Sequence, residues 1–179
     1  ATADSPEAWL NELQSISSVD IHRQLREEPF ADDVARELSS RVLRNQHWPK
    51  VRHSNRYPQR PPDHPTLRSL YDPQLSTLTL HDARSHMPSD LRRYLFAAVF
   101  ARHAKRSPSL ADFPRELLPM HQNVEQGRAG EMFADRFRVQ LPDQVSTTIT
   151  SHISKDGHYF IHYDPAQCRS LTVREAARL

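Results

Sequence analysis

The chain has 179 residues, which suits one domain, and a formal net charge of only +2, too small by itself to indicate nucleic-acid binding. Its hydrophobic content of 37% predicts a modest core and a polar surface that lies partly against a partner. The single cysteine excludes an internal disulfide, and no apolar run approaches the roughly 20 residues of a membrane span. With no visible signal peptide, these features predict a cytoplasmic protein without a membrane partner.

Two amphipathic helices are predicted near the beginning of the chain. Ser5 is typical of an N-cap and Pro6 of a first helical position, and an apolar stripe at helical spacing follows them. A second helix is predicted over residues 32–44, with Val34 and Leu38 on its apolar face. Core packing is the favoured role of both helices, and docking of a partner is the alternative.

A basic, proline-rich stretch comes next. Residues 41–68 carry seven basic side chains and one acid, and five prolines exclude a long helix. We expect an irregular or extended arm whose cations contact DNA phosphates, with Arg52, Arg56 and Arg60 as candidates. The alternative is a solvated loop whose charges only keep it soluble.

A short strand is predicted over residues 76–80, and histidines gather after it. His81, Asp82, His86 and His103 do not follow a recognised zinc spacing, and no cysteine lies among them. Hydrogen bonds around a helix start are therefore their favoured role. A metal-dependent enzyme built on these histidines is an alternative that requires stoichiometric metal in the purified chain.

The clearest helix of the middle is predicted from Pro88 to about residue 105. One face is broadly apolar, and the other carries five basic residues and no acid. The helix dipole favours cations at the end of a helix but not at its beginning, so Arg92 and Arg93 are candidates for phosphate contact. A solvated basic face is an equal alternative. A shorter amphipathic segment is predicted over residues 110–118.

Residues 133–141 have the alternation of a strand. Phe137 and Val139 belong to its apolar set, while Arg136, Arg138 and Gln140 share the opposite face. Arginine can donate two hydrogen bonds to guanine and glutamine can pair with adenine, so this face is suited to reading base edges. A polar sheet face in water is the alternative.

The C-terminal stretch predicts an antiparallel hairpin. Residues 147–152 alternate as a strand, residues 155–157 contain the turn glycine, and residues 158–163 return as an aromatic and β-branched strand. Thr172 and Glu175 then have the spacing of a capping box. Only four residues follow Glu175, which predicts a chain cut inside a larger protein.

The sequence of residues 169–179, Arg-Ser-Leu-Thr-Val-Arg-Glu-Ala-Ala-Arg-Leu, resembles a signature motif of bacterial DNA (cytosine-5) methyltransferases. That motif is the penultimate one of the family and is usually written R-x-L-T-x-R-E-x-A-R-L. The run Thr-Ile-Thr-Ser at residues 148–151 is similar to the strand that closes the family's target-recognition domain. The resemblance covers residues 133–179, and the rest of the chain is assigned to the variable recognition region by position.

The resemblance implies a mixed α/β (α+β) target-recognition region with several helices and a small antiparallel sheet. Residues 1–132 would form its helical and irregular variable part, and residues 133–179 its hairpin and the start of the motif helix. Its implied role is to bind double-stranded DNA and select the sequence that is methylated at cytosine C5. The implied setting is a restriction-modification enzyme of the bacterial cytoplasm, associated with the nucleoid.

The catalytic parts of that family are missing from the sequence. There is no glycine-rich S-adenosylmethionine loop and no Pro-Cys-Gln nucleophile, since Cys168 stands between Gln167 and Arg169. The fragment alone is therefore expected to be inactive, with no catalytic residue, cofactor or metal. The full-length enzyme would use S-adenosylmethionine, bound by a catalytic domain that is the fragment's partner.

The resemblance also implies roles for single residues. A loop near Arg128 would enter the major groove, Thr148 and Ile149 would lie near the backbone of the flipped nucleotide, and Lys155 would hold a phosphate. Five motif residues would organise the recognition domain against the catalytic one: Arg169, Thr172, Arg174, Glu175 and Arg178. For Arg174 and Arg178, local pairs with Glu175 and Asp164 are the alternative.

Two other functional classes stay open. The first is a stand-alone nucleic-acid-binding module that has the motif without the enzyme. The second is a structural or interaction protein that does not bind duplex DNA and whose polar surface a protein partner covers.

Overall fold

A computed structural model describes residues 18–39, 57–58, 60–120, 123–130, 134–149 and 157–179. Three predicted features lie outside these residues: the first helix, the hairpin turn with Lys155, and most of the basic arm with Arg52 and Arg56. Within them the fold mixes helices with a small sheet, which confirms the predicted α and β mixture. No helix in this part of the chain has the length and apolarity to cross a membrane.

Two short helices form a packed pair, α1 (Ser18–Gln24) and α2 (Ala31–Ser39). Asp32 lies in the first turn of α2, where the positive end of the helix dipole favours an acid. Val34 and Leu38 are buried on one face of α2. The apolar face predicted within residues 32–44 is therefore confirmed as far as the end of α2.

A short helix, α3 (Pro65–Ser69), interrupts an otherwise irregular stretch over residues 60–87. Pro65 occupies the first turn, where its missing N–H has no helical partner to lose. The strand predicted over residues 76–80 is wrong. Leu80 adopts a positive φ of 57°, which breaks the extended backbone that a strand needs.

The centre of the core is the long helix α4 (Pro88–Ala104). Residues 94–101 are all buried, so this helix is enclosed on every side rather than along one face. The ring centroids of Phe96 and Phe113 lie 4.8 Å apart within that core. Lys105 ends the helix with a φ of 56°, which confirms the predicted bounds.

Two 3-10 turns, Leu110–Asp112 and Arg115–Leu117, occupy the segment predicted to be amphipathic. Ser109 and Asp112 form a capping box at the first turn. Leu110 and Leu117 are buried against the core, so the apolar side of this segment is as predicted. A five-residue helix, α5 (Val124–Arg128), follows.

The sheet pairs β1 (Val139–Gln140) with β2 (Ile161–His162), and the two strands run parallel. The predicted antiparallel hairpin is therefore wrong. The N–H of Ile161 donates to Arg138 O at 2.9 Å, and an antiparallel bridge joins Ile161 to Ser170. Both hydrogen-bonding edges of β2 are thus occupied, one by β1 and the other by the chain that follows β2. No edge of β2 remains for pairing with residues 147–149.

The chain closes with a 3-10 turn at Gly157–Tyr159 and the short helix α6 (Val173–Ala176). Thr172 is the N-cap of α6, and the capping box with Glu175 predicted from the sequence is present. The predicted boundary between residues 132 and 133 falls among residues outside the described ranges, so it stays a prediction.

Candidate nucleic-acid interface

A cleft of about 320 Å³ lies beside β1 and is called here the β1 cleft. One wall comes from the segment after α4, another from β1 itself, and a third from the chain that follows β1. It is lined by Ser107, Pro108, Ser109, Asp135, Arg138, Val139, Gln140, Leu141, Gln144, Val145 and Thr147. The cleft therefore brings together Arg138 and Gln140, two of the three side chains predicted to read bases.

Local hydrogen bonds tie the walls of the β1 cleft together. The N–H of Val139 donates to Ser107 Oγ at 2.9 Å, which fixes β1 to the segment after α4. Gln144 Nε2 donates to Lys105 O at 3.2 Å, so the third wall is also anchored to the end of α4. A cleft held in this way is formed before any ligand arrives.

Gln140 and Thr147 meet inside the cleft. Gln140 is buried, and its Nε2 donates to Thr147 Oγ1 at 2.9 Å. This bond fixes the direction of the Gln140 amide. Thr148, the next residue, is exposed, and Ile149 is half-buried. The structure thus places the two residues predicted to contact the flipped nucleotide's backbone next to the cleft.

Charge in the β1 cleft is balanced rather than strongly positive. Arg138 forms an ion pair with Asp135, and both side chains are partly exposed. Arg136 is half-buried and is not among the residues that line the cleft. The face predicted for Arg136, Arg138 and Gln140 is therefore divided, because β1 has only two residues and both are buried.

Arg93 lies in the interior, against the prediction of a phosphate contact. Its Nη1 donates to Asp90 Oδ1 at 2.9 Å, its Nε to Leu117 O at 2.7 Å, and its Nη2 to Leu118 O at 3.1 Å. Only 11% of the side chain is exposed. Arg93 instead fastens the second 3-10 turn to α4.

The remaining predicted DNA contacts are scattered. Arg60 is exposed on the irregular stretch before α3, Arg92 is half-buried on α4, and Arg128 is half-buried at the end of α5. Arg52, Arg56 and Lys155 lie outside the described residues. The structure gathers only Arg138, Gln140 and the Thr148 neighbourhood into one site.

The motif residues form a compact network around the start of α6. Arg169 donates from Nη1 to Glu175 Oε2 at 2.7 Å and from Nη2 to Glu175 Oε1 at 2.8 Å. The N–H of Thr172 donates to Glu175 Oε2 at 2.8 Å. Burial alone would raise the pKa of Glu175, but the bonds from Arg169 and Thr172 outweigh it and lower the pKa to about 2.

Histidines surround that network and serve as hydrogen-bonding partners. His81 Nδ1 lies 3.1 Å from Thr172 Oγ1, and the N–H of Ser170 donates to His86 Nε2 at 3.3 Å. His103 instead pairs with Glu37 at 2.6 Å. These contacts confirm the favoured role for His81 and His86. In the described ranges, no three metal-ligating side chains come together.

Arg174 and Arg178 do not form the local pairs considered from the sequence. Arg174 Nη1 donates to Thr79 O at 3.3 Å, and Arg178 Nη2 donates to Leu70 O at 3.3 Å. The N–H of Arg174 also donates to Leu80 O at 2.9 Å. Both arginines therefore hold the segment around α3 against α6.

Cys168 is buried in the core beneath the motif. Its Sγ donates to Leu91 O at 3.1 Å, and burial raises the pKa of the thiol. A nucleophilic cysteine must be a thiolate, and this position favours the protonated form. The structure therefore agrees with the sequence in giving Cys168 no nucleophilic role.

Sequence reasoning predicted only Arg138 and Gln140 among the residues that line the β1 cleft, and missed the others, including Ser107, Gln144 and Val145. Val145 is 98% exposed, so its apolar side chain is accessible beside the polar cleft. The only signal in the sequence is Pro142-Asp143, a turn pair that brings the following residues back beside β1.

Comparison with known proteins gives one informative match. A stretch of 101 residues is 44% identical to the Type II methyltransferase M.Bpa9945I of Bacillus paralicheniformis. The match covers 56% of this chain and 21% of the relative, so the chain spans about a fifth of that protein's length. No protein-family model matches the chain. No solved structure matches it either.

Proposed function

We propose that this chain is part of the target-recognition region of a restriction-modification DNA methyltransferase that acts on cytosine C5. The 44% identity to a Type II methyltransferase supports the restriction-modification class. The motif at residues 169–179 supports the finer assignment to cytosine C5, because it resembles a signature of that family. The region's task in the full-length enzyme is to hold duplex DNA and select the target sequence.

The observation that carries the DNA contact is the convergence in the β1 cleft. Arg138, Gln140 and Thr147 line it together, and Thr148 is exposed beside it. Phosphate contacts position a protein on DNA, whereas base-edge contacts give specificity. Arg138 is suited to guanine or phosphate, and the exposed Val145 is suited to the methyl group of thymine.

Methyl transfer belongs to the rest of the full-length enzyme in this proposal. S-adenosylmethionine supplies the methyl group when it is bound there. The residues that line the β1 cleft do not fit this group. The one acidic residue among the described lining residues, Asp135, lies beside the guanidinium of Arg138, whose positive charge disfavours a sulfonium there. The three glycines, at residues 127, 130 and 157, form no glycine-rich loop.

DNA binding is tested by fluorescence anisotropy of a labelled mixed-sequence duplex titrated with the 179-residue chain at several salt concentrations. We expect salt-sensitive binding that Arg138→Gln weakens about tenfold, since one good charged contact contributes about 1–3 kcal/mol. The matched control is Arg36→Gln on α2, far along the chain from the β1 cleft. Like Arg138, Arg36 pairs with an aspartate three residues before it. Arg36→Gln should change the affinity less than twofold.

Two results would count against the proposal. Binding that Arg138→Gln and Arg36→Gln weaken equally would remove the β1 cleft as the interface. No binding at low salt by a chain shown to be folded would remove the idea that this region grips DNA by itself.

The position of methylation is tested on the full-length enzyme that contains this region. Bisulfite sequencing of DNA from cells that express it should reveal protected cytosines at one recurring sequence, because methylation at C5 blocks deamination. Mass spectrometry of nucleosides from the same DNA distinguishes the modified bases. Methylated adenine or cytosine methylated at N4, in place of 5-methylcytosine, would overturn the C5 assignment while leaving the methyltransferase class in place.

A further inference from the structure

A second cleft lies between the segment around α3 and the helix α6, and is called here the α6 cleft. It has a volume of about 280 Å³ and is lined mainly by apolar side-chain surface, with Leu67, Leu70, Tyr71 and Leu78 among its residues. None of its lining residues belongs to the β1 cleft. The two clefts are therefore separate surfaces, and an inference about one does not rest on the other.

The floor of the α6 cleft is built from aromatic rings that are held in place. The rings of Tyr57 and Tyr71 stack with centroids 5.5 Å apart, and Tyr57 is buried. The N–H of Asp72 donates to Tyr57 Oη at 2.7 Å, which fixes the floor to the backbone after α3. The cleft is thus pre-formed, which lowers the ordering cost of binding.

Apolar side chains on the wall of the α6 cleft remain exposed. Leu67 is 53% exposed and Leu70 is 40% exposed, although both stand on a concave surface. Val173, 50% exposed, lies at the start of α6 beside the cleft-lining Arg174. Grouped apolar exposure in a concavity marks a surface that another molecule covers.

The rim of the α6 cleft is positively charged. Arg174 and Arg178 bond to backbone carbonyls, and neither has a carboxylate partner among the described ion pairs. Glu175, the acid among the described lining residues, is held in two hydrogen bonds by Arg169. Two guanidinium groups therefore face an incoming ligand without a counter-charge from the described chain.

We propose that the α6 cleft binds a polypeptide segment in which apolar side chains stand next to carboxylates. The apolar side chains would lie on Leu67, Leu70 and Tyr71, and the carboxylates would pair with Arg174 and Arg178. Bidentate pairs between arginine and carboxylate are strong and direction-specific. This complementarity of charge identifies an acidic apolar segment rather than a basic one.

Polypeptide fits the α6 cleft better than nucleic acid. Surfaces that bind nucleic acid are polar and strongly basic, whereas this lining is mainly apolar. Its volume of about 280 Å³ suits a few side chains. The anchoring of a few apolar side chains with charged neighbours is common where a peptide docks in a groove.

The test uses two fluorescein-labelled heptapeptides and the 179-residue chain. One peptide alternates leucine with glutamate, and the matched control alternates leucine with lysine. We expect the glutamate peptide to bind at least tenfold more tightly than the lysine peptide in an anisotropy titration. Arg178→Glu should weaken the glutamate peptide at least tenfold, and Leu67→Ser at least fivefold. Arg36→Glu, on α2, should change its affinity less than twofold.

Circular dichroism and thermal melting must show that Arg178→Glu and Leu67→Ser are folded; both side chains are exposed, so we expect little loss of stability. Equal binding of the two peptides, or no binding of either, would overturn the proposal. Displacement of the glutamate peptide by a short DNA duplex would overturn it too, because it would assign the α6 cleft to nucleic acid. None of these outcomes depends on whether the β1 cleft binds DNA.

Discussion

The core around α4 and the rim of the β1 cleft both contain an arginine beside an acid three residues away, but in opposite environments. Arg93 and Asp90 are buried on α4, with 11% and 7% of their side chains exposed. Arg138 and Asp135 have the same spacing but are 32% and 54% exposed. The spacing of a charge pair therefore does not reveal its role, whereas its burial separates charges that hold the fold from charges that can meet a ligand.

Among the buried charge pairs, we expect the pair of Arg169 and Glu175 in the motif network to contribute most to stability. Replacing Arg169 by methionine would leave the half-buried Glu175 carboxylate without the two hydrogen bonds that Arg169 donates and would weaken the cap of α6. Loss of one partner of a buried pair costs about 3–5 kcal/mol. We expect a fall of about 3 kcal/mol or more in the free energy of unfolding, measured by urea titration.

The double variant Arg169→Met with Glu175→Met is the control for that prediction. It removes the stranded charge, so it should recover part of the lost stability. A single variant that loses less than about 1 kcal/mol would mean that the motif pair is no more structural than a surface pair.

Arg93 and Arg138 can be compared directly by replacing each with methionine. Arg93→Met would strand Asp90 and free the carbonyls of Leu117 and Leu118, so the free energy of unfolding should fall by about 3 kcal/mol. Arg138→Met breaks an exposed pair and should cost below about 1 kcal/mol. Equal losses in the free energy of unfolding, measured in parallel urea titrations, would contradict the proposed difference between the two arginines.

Local sequence signals were sufficient to predict the elements whose structure is determined by residues close together in the chain. The bounds of α4 follow from Pro88 and the basic end of its run, and the cap of α6 follows from Thr172 and Glu175. The apolar face of α2 follows from helical spacing alone. In each case, the groups that determine the structure lie within a few turns of one another.

Those local signals could not predict contacts between distant parts of the chain. Period-two alternation identifies β2 as a strand but not its partner, so the parallel pairing with β1 was missed. Arg93 has the same chemistry as a solvated arginine, and only the distant carbonyls of Leu117 and Leu118 place it inside. The β1 cleft likewise depends on Ser107 and Thr147, which come from separate segments.

Lowering the pH should reduce the stability of the buried region less than the substitutions of buried arginines do. Burial and the neighbouring Arg169 lower the pKa of His162 to about 4, against an ordinary value of 6.5. Between those values the unfolded chain binds a proton that the folded chain does not, so stability is complete above pH 6.5 and falls as the pH decreases towards 4. For one such group the loss between pH 7 and pH 5 is about 2 kcal/mol.

That loss should depend on His162 itself, because Glu175 stays ionised down to a pKa of about 2 and contributes at lower pH. Urea titrations at pH 7, 6 and 5 should show the decrease in the parent chain and a flatter profile in His162→Gln. His64→Gln, a change at an exposed position before α3, should keep the parent's profile. A profile as steep in His162→Gln as in the parent would place the acid-sensitive group elsewhere in the fold.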